Sequence, residues 1–268
     1  MSLLLGYNTS GFAHHRLEDA LDLIAAAGFR AVALTPDVHH VPAPRLGDRL
    51  RALGLLPVVE TGARFLLDPE RKHFPTFFDP GRQRRIDFLY RCIDLAAGIG
   101  APCVSLWSGR GSGEARLVEG LTRVCDRAGR AGVDVAFEPE PGMAIDTMAR
   151  FDALRAKLPH PRLALTLDVG HLHCLEEGSP ASWIDRYAPL LRNVHLDDHR
   201  RGVHEHLFFG DGEIDWPPVT AALHRAAGGR TLPATVELPR HSHDAVETCR
   251  RAALFLATRT SPGARPSS

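Results

Sequence analysis

The sequence predicts an α/β protein of the (β/α)8 TIM barrel class, folded as a single domain over residues 1–260. Short apolar runs bounded by Gly, Pro or Asp alternate with longer segments in which apolar residues recur with helical period. Eight of each can be distinguished, and the strand starts recur about every 25 to 31 residues except at two longer intervals. That spacing is typical of a βα unit, and eight right-handed βαβ crossovers close most naturally into a barrel.

The predicted strands are the short apolar runs. In chain order they begin near Leu3, Ala31, Leu56, Cys103, Val133, Leu163, Asn193 and Ala234. The predicted helices are the longer periodic segments after these runs, and they cover roughly residues 17–27, 45–53, 83–99, 115–131, 147–158, 180–191, 217–227 and 244–258. A doubly wound open sheet is the alternative architecture, but no Gly-x-Gly-x-x-Gly motif follows the first strand to support it.

Two long intervals, residues 60–80 and 197–216, lack helical periodicity and are rich in Phe, His, Arg, Gly and Pro. Both come after strands, so we expect both to lie over the face that carries the chemistry of barrel proteins, where such loops often act as lids. The alternative is a pair of ordered surface loops packed by their own aromatic residues. Residues 261–268 are predicted to form a disordered tail.

Composition argues against several classes of function. The chain has 32 basic and 32 acidic residues, so no protein-wide positive field exists to attract nucleic acid. Lysine occurs only at Lys72 and Lys157, which argues against a Schiff-base mechanism. The five cysteines are scattered without CxxC spacing, and no segment is long and apolar enough to cross a membrane. We therefore expect a cytoplasmic protein that binds neither nucleic acid nor membrane.

Four successive apolar runs in the second half of the chain each end in a residue that can bind a divalent metal. These residues are Glu138, Asp168, His195 and Glu237. Because the carboxyl ends of parallel strands lie side by side at one face of a barrel, we expect the four side chains to converge. They form a mixed O/N donor set that suits Mn²⁺, Mg²⁺, Co²⁺ or Zn²⁺. The alternative is that they are solvated strand ends.

Two of these residues, Glu138 and Glu237, are also candidates for proton transfer. They leave the fifth and eighth strands, so we expect them to face each other across the barrel. Two carboxylates that flank one substrate carbon can remove a proton from one face and return it to the other, while a metal polarises the adjacent carbonyl and stabilises an enediolate. This arrangement predicts epimerisation or aldose–ketose isomerisation without a redox cofactor.

Several other side chains are predicted to contact the substrate. They are His171, His206, Asn8, Trp107, Arg64 and His73. His171 lies three residues beyond Asp168, where it can orient a metal ligand, donate to substrate, or simply cap the next helix.

Two further motifs leave more than one interpretation open. His204 and His206, one residue apart on an extended segment, can hold another metal, contact substrate through His206, or belong to a solvated loop. The glycine-rich turn at residues 108–114 comes after the fourth strand, so its backbone amides and Arg110 can hold a phosphate or hydroxyl groups. Such turns are also common for steric reasons alone.

In their order along the chain, these motifs resemble the xylose-isomerase-like TIM barrel superfamily of sugar isomerases and epimerases. The resemblance spans almost the whole chain and rests on strand-end Glu138, Asp168-x-x-His171, Val-His195-Leu-Asp, a Gly-x-Gly-x-Ile-Asp segment at residues 210–215 and strand-end Glu237. It implies that the four strand-end residues bind the metal, that the two glutamates act as acid and base, and that His171 touches substrate. His206 stands where sugar epimerases often place a substrate-binding arginine, a departure that bears on the substrate rather than on the fold.

We therefore expect an enzyme that isomerises or epimerises a small sugar or polyhydroxy carbonyl compound with one divalent ion, Mn²⁺ being the leading candidate. One alternative is a lyase that dehydrates a keto-polyol or cyclitol at the same site. A second is a phosphodiesterase similar to endonuclease IV, whose branch needs additional histidines where this chain has Glu60-Thr61 and Trp107-Ser108. A third is a barrel that binds a metabolite without turning it over. Assembly into a homo-oligomer is left open.

Overall fold

The computed structural model describes residues 2–36, 43–61 and 74–260, in which eight parallel strands close into a barrel. The strands of the described residues are Leu3–Asn8 (β1), Ala31–Leu34 (β2), Leu56–Glu60 (β3), Cys103–Leu106 (β4), Asp134–Phe137 (β5), Leu163–Asp168 (β6), Leu191–Leu196 (β7), Asp198–Arg200 (β8), Val203–Leu207 (β9) and Leu232–Val236 (β10). Around the barrel the order is β1, β10, β7, β6, β5, β4, β3, β2. The predicted barrel class is thus confirmed, and each predicted strand start lies within two residues of the observed one.

The helices surround this barrel. In chain order they are Leu17–Ala26 (α1), Ala43–Leu53 (α2), Arg82–Ile99 (α3), Glu114–Ala131 (α4), Met148–Lys157 (α5), Val169–Leu175 (α6), Pro180–Tyr187 (α7), Trp216–Ala227 (α8) and Ala245–Thr260 (α9). All eight predicted helices are present, and α6 is an additional short helix that begins directly after β6. Its seven residues are too few for helical periodicity to stand out from the preceding strand.

Helix α3 illustrates how the outer layer packs. Ile86, Leu89 and Ile93 recur at helical spacing, and each is at most 1% exposed. Burial of each such side chain stabilises the fold by about 1.5–3 kcal/mol. The helix ends at Gly100, whose φ of +78° favours glycine and whose N–H donates to the carbonyl of Ala96.

Strand register brings the candidate ligands into one layer. Asp168, the last residue of β6, pairs with His195 of β7. The backbone N–H groups of Glu138 and Glu237 each continue the hydrogen bonding to a neighbouring strand one residue beyond β5 and β10. The four side chains therefore start from the same end of the barrel.

The segment at residues 197–216 is more regular than its sequence indicates, because it contains the antiparallel pair β8–β9. The buried carboxylate of Asp198 organises the loop after β9: it accepts the N–H groups of Gly210 and Ile214, at 2.8 and 3.1 Å, and the indole N–H of Trp216 at 3.1 Å. Hydrogen bonds between residues distant in sequence produce no periodic pattern, so sequence periodicity could not reveal this hairpin.

The other long segment divides into two parts. Residues 62–73 lie outside the described residues, as does the predicted tail at 261–268, so the lid and tail expectations there stay predictions. Residues 74–80 pack against the barrel's outer layer: Phe77 is 1% exposed, and a Cβ added to Gly120 of α4 would lie 2.6 Å from its Cδ1 atom. A deletion of the predicted lid that included Phe77 would therefore remove part of the core.

Within the described ranges, every helix is too short or too polar to cross a membrane. The cysteines, all of which the structure describes, are buried and free, as their scattered spacing indicates. Burial raises the pKa of Cys125 and of Cys249 to about 12, so these thiols stay protonated near neutral pH.

Candidate metal centre and active site

Glu138, Asp168, His195 and Glu237, here called the primary cluster, converge at the carboxyl-terminal end of the barrel. Each offers a ligand atom within 4.8 Å of the others. The Nδ1 atom of His195 lies 3.0 Å from Glu138 Oε1, 2.9 Å from Glu237 Oε2 and 3.9 Å from Asp168 Oδ2. The sequence prediction that these side chains meet agrees with this geometry.

The two glutamates were expected from the sequence to face each other across the barrel, and they do not stand directly opposite. In the closed barrel β6 and β7 lie between β5 and β10 on one side, and β1, β2, β3 and β4 lie between them on the other. Glu138 and Glu237 instead approach the same ring nitrogen of His195 from the two flanks of β7. Both carboxylates can thus reach one small ligand without spanning the barrel.

Two more side chains complete the surroundings of His195. Glu60 Oε2, at the end of β3, lies 3.0 Å from its Nε2 atom, and Asn193 Nδ2 lies 2.9 Å from the same nitrogen. Sequence reasoning did not include either residue in the site. Glu60 could have been found by the strand-end rule that selected the other carboxylates, whereas Asn193 lies earlier in β7, where the sequence pattern marks no functional position.

The electrostatics of the primary cluster suit a cation. Burial raises the pKa of Glu138 well above its ordinary value and that of Asp168 to about 8. Burial lowers the pKa of His195, but the carboxylates of Glu138 and Glu237 outweigh it, so the net pKa is well above 6.5. Burial raises the pKa of Glu237, but His195 outweighs it and the net pKa is lowered. In the ion-free protein, the His195 imidazolium therefore balances the ionised Glu237, whereas Glu138 and Asp168 resist ionisation.

Asp168 provides a direct test of whether a metal fits. Its Oδ1 atom accepts the N–H of His171 at 2.9 Å and caps α6, so this carboxylate is held in place. Its Oδ2 atom is buried and accepts no hydrogen bond. A buried carboxylate oxygen left without a donor inside a ring of O and N ligands is suited to a divalent ion.

A second group lies beside the primary cluster and is here called the histidine cluster. It consists of His171, Asp197, His199, His204 and His206. The Nε2 atoms of His171 and His204 are 3.1 Å apart, and the His171 Nδ1 atom lies 3.2 Å from the carbonyl oxygen of Pro139. Two overlapping sets, His171/His204/His206 and Asp197/His199/His206, also have ligand atoms close enough to share an ion.

Asp197 is fully buried within this cluster. Its Oδ2 atom lies 3.1 Å from His199 Nε2 and contacts His206 Nδ1. Burial raises the pKa of Asp197, but His206 and His199 outweigh it, and the net pKa is well below 3.8. Burial lowers the pKa of His206, but Asp197 outweighs it and raises the pKa to about 10. His206 is therefore an imidazolium near neutral pH.

The remaining predicted substrate residues differ in their placement. His171 lies 3.6 Å from both Glu138 Oε1 and Asp168 Oδ2, so it adjoins the primary cluster. His204 and His206 are half-buried, and their rings contact the ring of His171, so they do not lie in a solvated loop.

Two other predicted substrate residues are buried, and two more cannot be placed. Asn8 is buried, and its Oδ1 atom accepts the N–H of Ser10 at 2.9 Å. Trp107 is 4% exposed, with the guanidinium carbon of Arg85 4.8 Å from its ring centre. Two more predicted residues, Arg64 and His73, lie outside the described residues.

Relatives with similar sequences include one enzyme of known type. Uncharacterized protein y4fM of Sinorhizobium fredii (strain NBRC 101917 / NGR234) is 29% identical over 181 residues, covering 63% of this chain and 57% of that protein. Inosose dehydratase of Lacticaseibacillus casei is 29% identical over 125 residues, covering 40% of this chain and 42% of that enzyme. The matches thus span about half the length of these relatives.

Solved structures show the same fold at low sequence identity. An L-ribulose 3-epimerase superposes with a TM-score of 0.77 at 19% identity, over 97% of this chain and 95% of that one. An IOLI protein with a bound zinc atom has a TM-score of 0.73 at 16% identity, over 98% and 100% of the two chains. A sequence model described as xylose isomerase-like TIM barrel matches residues 21–259. With most of its length matched, the chain belongs to the xylose isomerase-like TIM barrel family.

Proposed function

We propose that this protein is a divalent-metal-dependent isomerase or epimerase of a small sugar or polyhydroxy carbonyl compound. The observation that carries the proposal is the approach of Glu138 and Glu237 to one ring nitrogen of His195, at 3.0 and 2.9 Å, with Asp168 beside them. The two carboxylates therefore lie close enough to exchange protons with one substrate carbon, and the same group of residues can bind a cation.

The primary cluster would hold the ion. Its two glutamates, one aspartate and one histidine match the hard and intermediate ligands that Mn²⁺, Mg²⁺, Co²⁺ and Zn²⁺ accept, and Mn²⁺ is the first choice for reconstitution. When bound, such an ion polarises a substrate carbonyl and acidifies the neighbouring C–H group. The zinc atom in the related IOLI structure supports a divalent ion as cofactor.

The two glutamates have surroundings that push their pKa values apart. Burial raises the pKa of Glu138, whereas the net pKa of Glu237 is lowered because His195 outweighs burial. In the ion-free protein Glu237 is therefore the better proton acceptor of the pair and Glu138 the better proton donor. Such a pair can move a proton between two faces of one carbon or between neighbouring carbons, which are the proton transfers of epimerases and isomerases.

A dehydratase is the second candidate, and a specific side chain favours it. The His206 imidazolium, held by Asp197, could donate a proton to a departing hydroxyl group while a glutamate removes the proton from the neighbouring carbon. The similarity to inosose dehydratases supports this candidate. Phosphodiester cleavage is less well supported, since the formal net charge is zero and the ends of β3 and β4, at residues 60–61 and 107–108, carry no histidine.

The proposal is tested by proton exchange. Protein loaded with Mn²⁺ and incubated in D₂O with a panel of ketoses and cyclitols should place deuterium on the carbon next to the carbonyl of an accepted compound. Glu237→Gln should lower that exchange rate at least about 100-fold, the usual worth of one positioned base. Mass spectrometry of the products separates the candidates, because a dehydratase also releases water.

Glu247→Gln is the matched control, since this half-exposed glutamate on α9 pairs with Arg250 and should leave exchange unchanged. Metal content is measured on each protein, because the histidine cluster supplies a second donor set. Absence of exchange across the panel, with metal loaded stoichiometrically, would contradict the proposal and favour a barrel that binds its metabolite without turnover.

A further inference from the structure

A cavity of about 160 Å³ opens beside the histidine cluster on the carboxyl-terminal side of the barrel. Its lining comes from segments after β3, β4 and β5 and from β9, and includes Phe74, Thr76, Arg110, Glu140, Met143 and His204. All of these segments lie at the end of the barrel that carries the primary cluster. The cavity is thus placed to accept part of a molecule whose other part reacts there.

His204 connects this cavity with the primary cluster. Its Nε2 atom is 3.1 Å from His171 Nε2, and the other nitrogen of His171 is 3.6 Å from Glu138 Oε1. Glu140 lines the cavity only two residues after Glu138. A ligand held at the primary cluster can therefore extend toward the loops after β3, β4 and β5.

The backbone around Arg110 is fixed in advance of binding. Gly109 and Gly111 have φ angles of +77° and +145°, which favour glycine. A Cβ at either position would lie 2.5 or 2.6 Å from a side chain of segment 76–78. The carbonyl of Gly109 also accepts the N–H of Ala144 at 3.0 Å. The turn therefore packs tightly on both sides, which lowers the entropy lost when it holds a ligand.

The Arg110 side chain remains available to a ligand. It is exposed, and its Nη2 atom passes over Gly142, where an added Cβ would lie 3.8 Å away. Within the ranges that the structure describes, no Asp or Glu forms an ion pair with this guanidinium. A guanidinium offers paired N–H donors that match the two oxygens of a carboxylate.

We infer that Arg110 binds a carboxylate at the far end of the substrate, so that the substrate is a polyhydroxy carbonyl acid rather than a neutral sugar. A carboxylate suits this cavity better than a phosphate because Arg110 is the one Arg or Lys among its described lining residues. One guanidinium balances a monoanion, whereas a phosphate dianion would keep an unbalanced negative charge. The inference rests on the proposed function for the reacting end of the molecule. Recognition of the far end is a separate property that equilibrium binding can measure.

The experiment compares three probes that differ at one terminal group: xylitol, xylonate and xylitol 5-phosphate. Isothermal titration calorimetry is carried out on Mn²⁺-loaded wild type, Arg110→Gln, Arg110→Lys and the control Arg130→Gln. Arg130 is exposed in the last turn of α4, at the opposite end of the barrel. Wild type and the Arg130 variant should bind xylonate at least about tenfold more tightly than xylitol.

Arg110→Gln should lose xylonate affinity by about 10- to 100-fold while binding xylitol within about twofold of wild type, and Arg110→Lys should fall between them. Xylonate preference that persists in Arg110→Gln would overturn the inference, because the carboxylate would then bind elsewhere, such as at the metal. Three other results would also overturn it. Wild type could bind xylonate and xylitol with equal affinity, or bind none of the probes with a Kd of about 10 mM or below. Alternatively, wild type could bind xylitol 5-phosphate more tightly than xylonate in a way that depends on Arg110.

The proposed function can fail independently of this inference. Deuterium exchange that depends on Glu237 but is indifferent to Arg110 and to a substrate carboxylate would retain the function and remove the inference. Arg110-dependent xylonate binding without exchange would retain the acid-binding site and remove the proposed catalysis.

Discussion

Asp197 is the residue on which the charge of the histidine cluster depends. It is fully buried and its Oδ2 atom faces both His199 and His206. A buried carboxylate that lost these partners would be left without compensation for its desolvation. The pairing therefore keeps His206 protonated and oriented toward the other imidazoles.

This pairing predicts a pH dependence of stability in the ion-free protein. The pKa of His206 rises from 6.5 to about 10 on folding, so its stabilising contribution is complete below pH 6.5 and is lost as the pH rises through 10. We expect the free energy of unfolding to fall over that interval in wild type, and to fall less in His206→Gln. Urea unfolding at about pH 7 and about pH 9.5 measures the difference.

The control for this prediction is His160→Gln. His160 precedes β6 at the other end of the barrel, where it accepts the N–H of Arg162. Its variant should keep the wild-type pH dependence. Equal losses of stability in wild type and His206→Gln would show that His206 is not an imidazolium in the folded protein.

At the scale of elements, the contact between α6 and β8 holds the two clusters together. Asp168 caps α6 and belongs to the primary cluster, while the pair β8–β9 carries His199, His204 and His206. Gly170 forms the contact: a Cβ there would lie 2.3 Å from Asp197 Oδ1 and 2.3 Å from His199 Cδ2. The helix can approach the hairpin this closely because residue 170 has no side chain.

Gly170→Ala is accordingly expected to destabilise the protein by about 1–3 kcal/mol, the usual cost of forcing atoms into a filled space. Gly129→Ala is the matched control. Gly129 lies within α4, and a Cβ added there would meet Arg162 Cγ at an ordinary contact distance of 3.7 Å. That variant should be neutral or more stable by up to about 1 kcal/mol, because alanine favours helix. Chemical unfolding compares the two, and equal stability changes would refute the packing argument.

At the scale of the whole molecule, the primary cluster together with Glu60 beside it joins strands from both halves of the barrel. Glu60 and Glu138 come from the ends of β3 and β5, and Glu237 follows the final strand, β10. Their carboxyl groups meet around His195, which is 0% exposed. An ion that binds this cluster only in the folded state must therefore stabilise the entire fold.

Mn²⁺ at a free concentration of about 100 times its Kd should raise the free energy of unfolding by about 2.7 kcal/mol. His195→Ala should sharply lower metal content and remove most of this stabilisation, whereas His160→Ala should retain both. Thermal unfolding with and without a chelator, alongside elemental analysis, provides the measurement. Full metal occupancy in His195→Ala would overturn the assignment of the primary cluster.

Local patterns in the sequence predict much of this architecture. Apolar runs and helical periodicity predict the strand starts and helix spans. The strand-end rule identifies Glu138, Asp168, His195 and Glu237. Both kinds of prediction depend only on short stretches of chain. Family resemblance assigns the expected ligands but leaves the substrate open.

The tertiary structure alone determines how these local elements meet. The order β5, β6, β7, β10 around the barrel sets the two glutamates on either side of His195 instead of directly opposite each other, and Glu60 reaches the same imidazole from β3. The β8–β9 pair and the placement of Arg110 beside the cavity likewise depend on contacts between distant segments. Periodicity reports which face of one element is apolar, whereas these positions depend on which elements become neighbours in space.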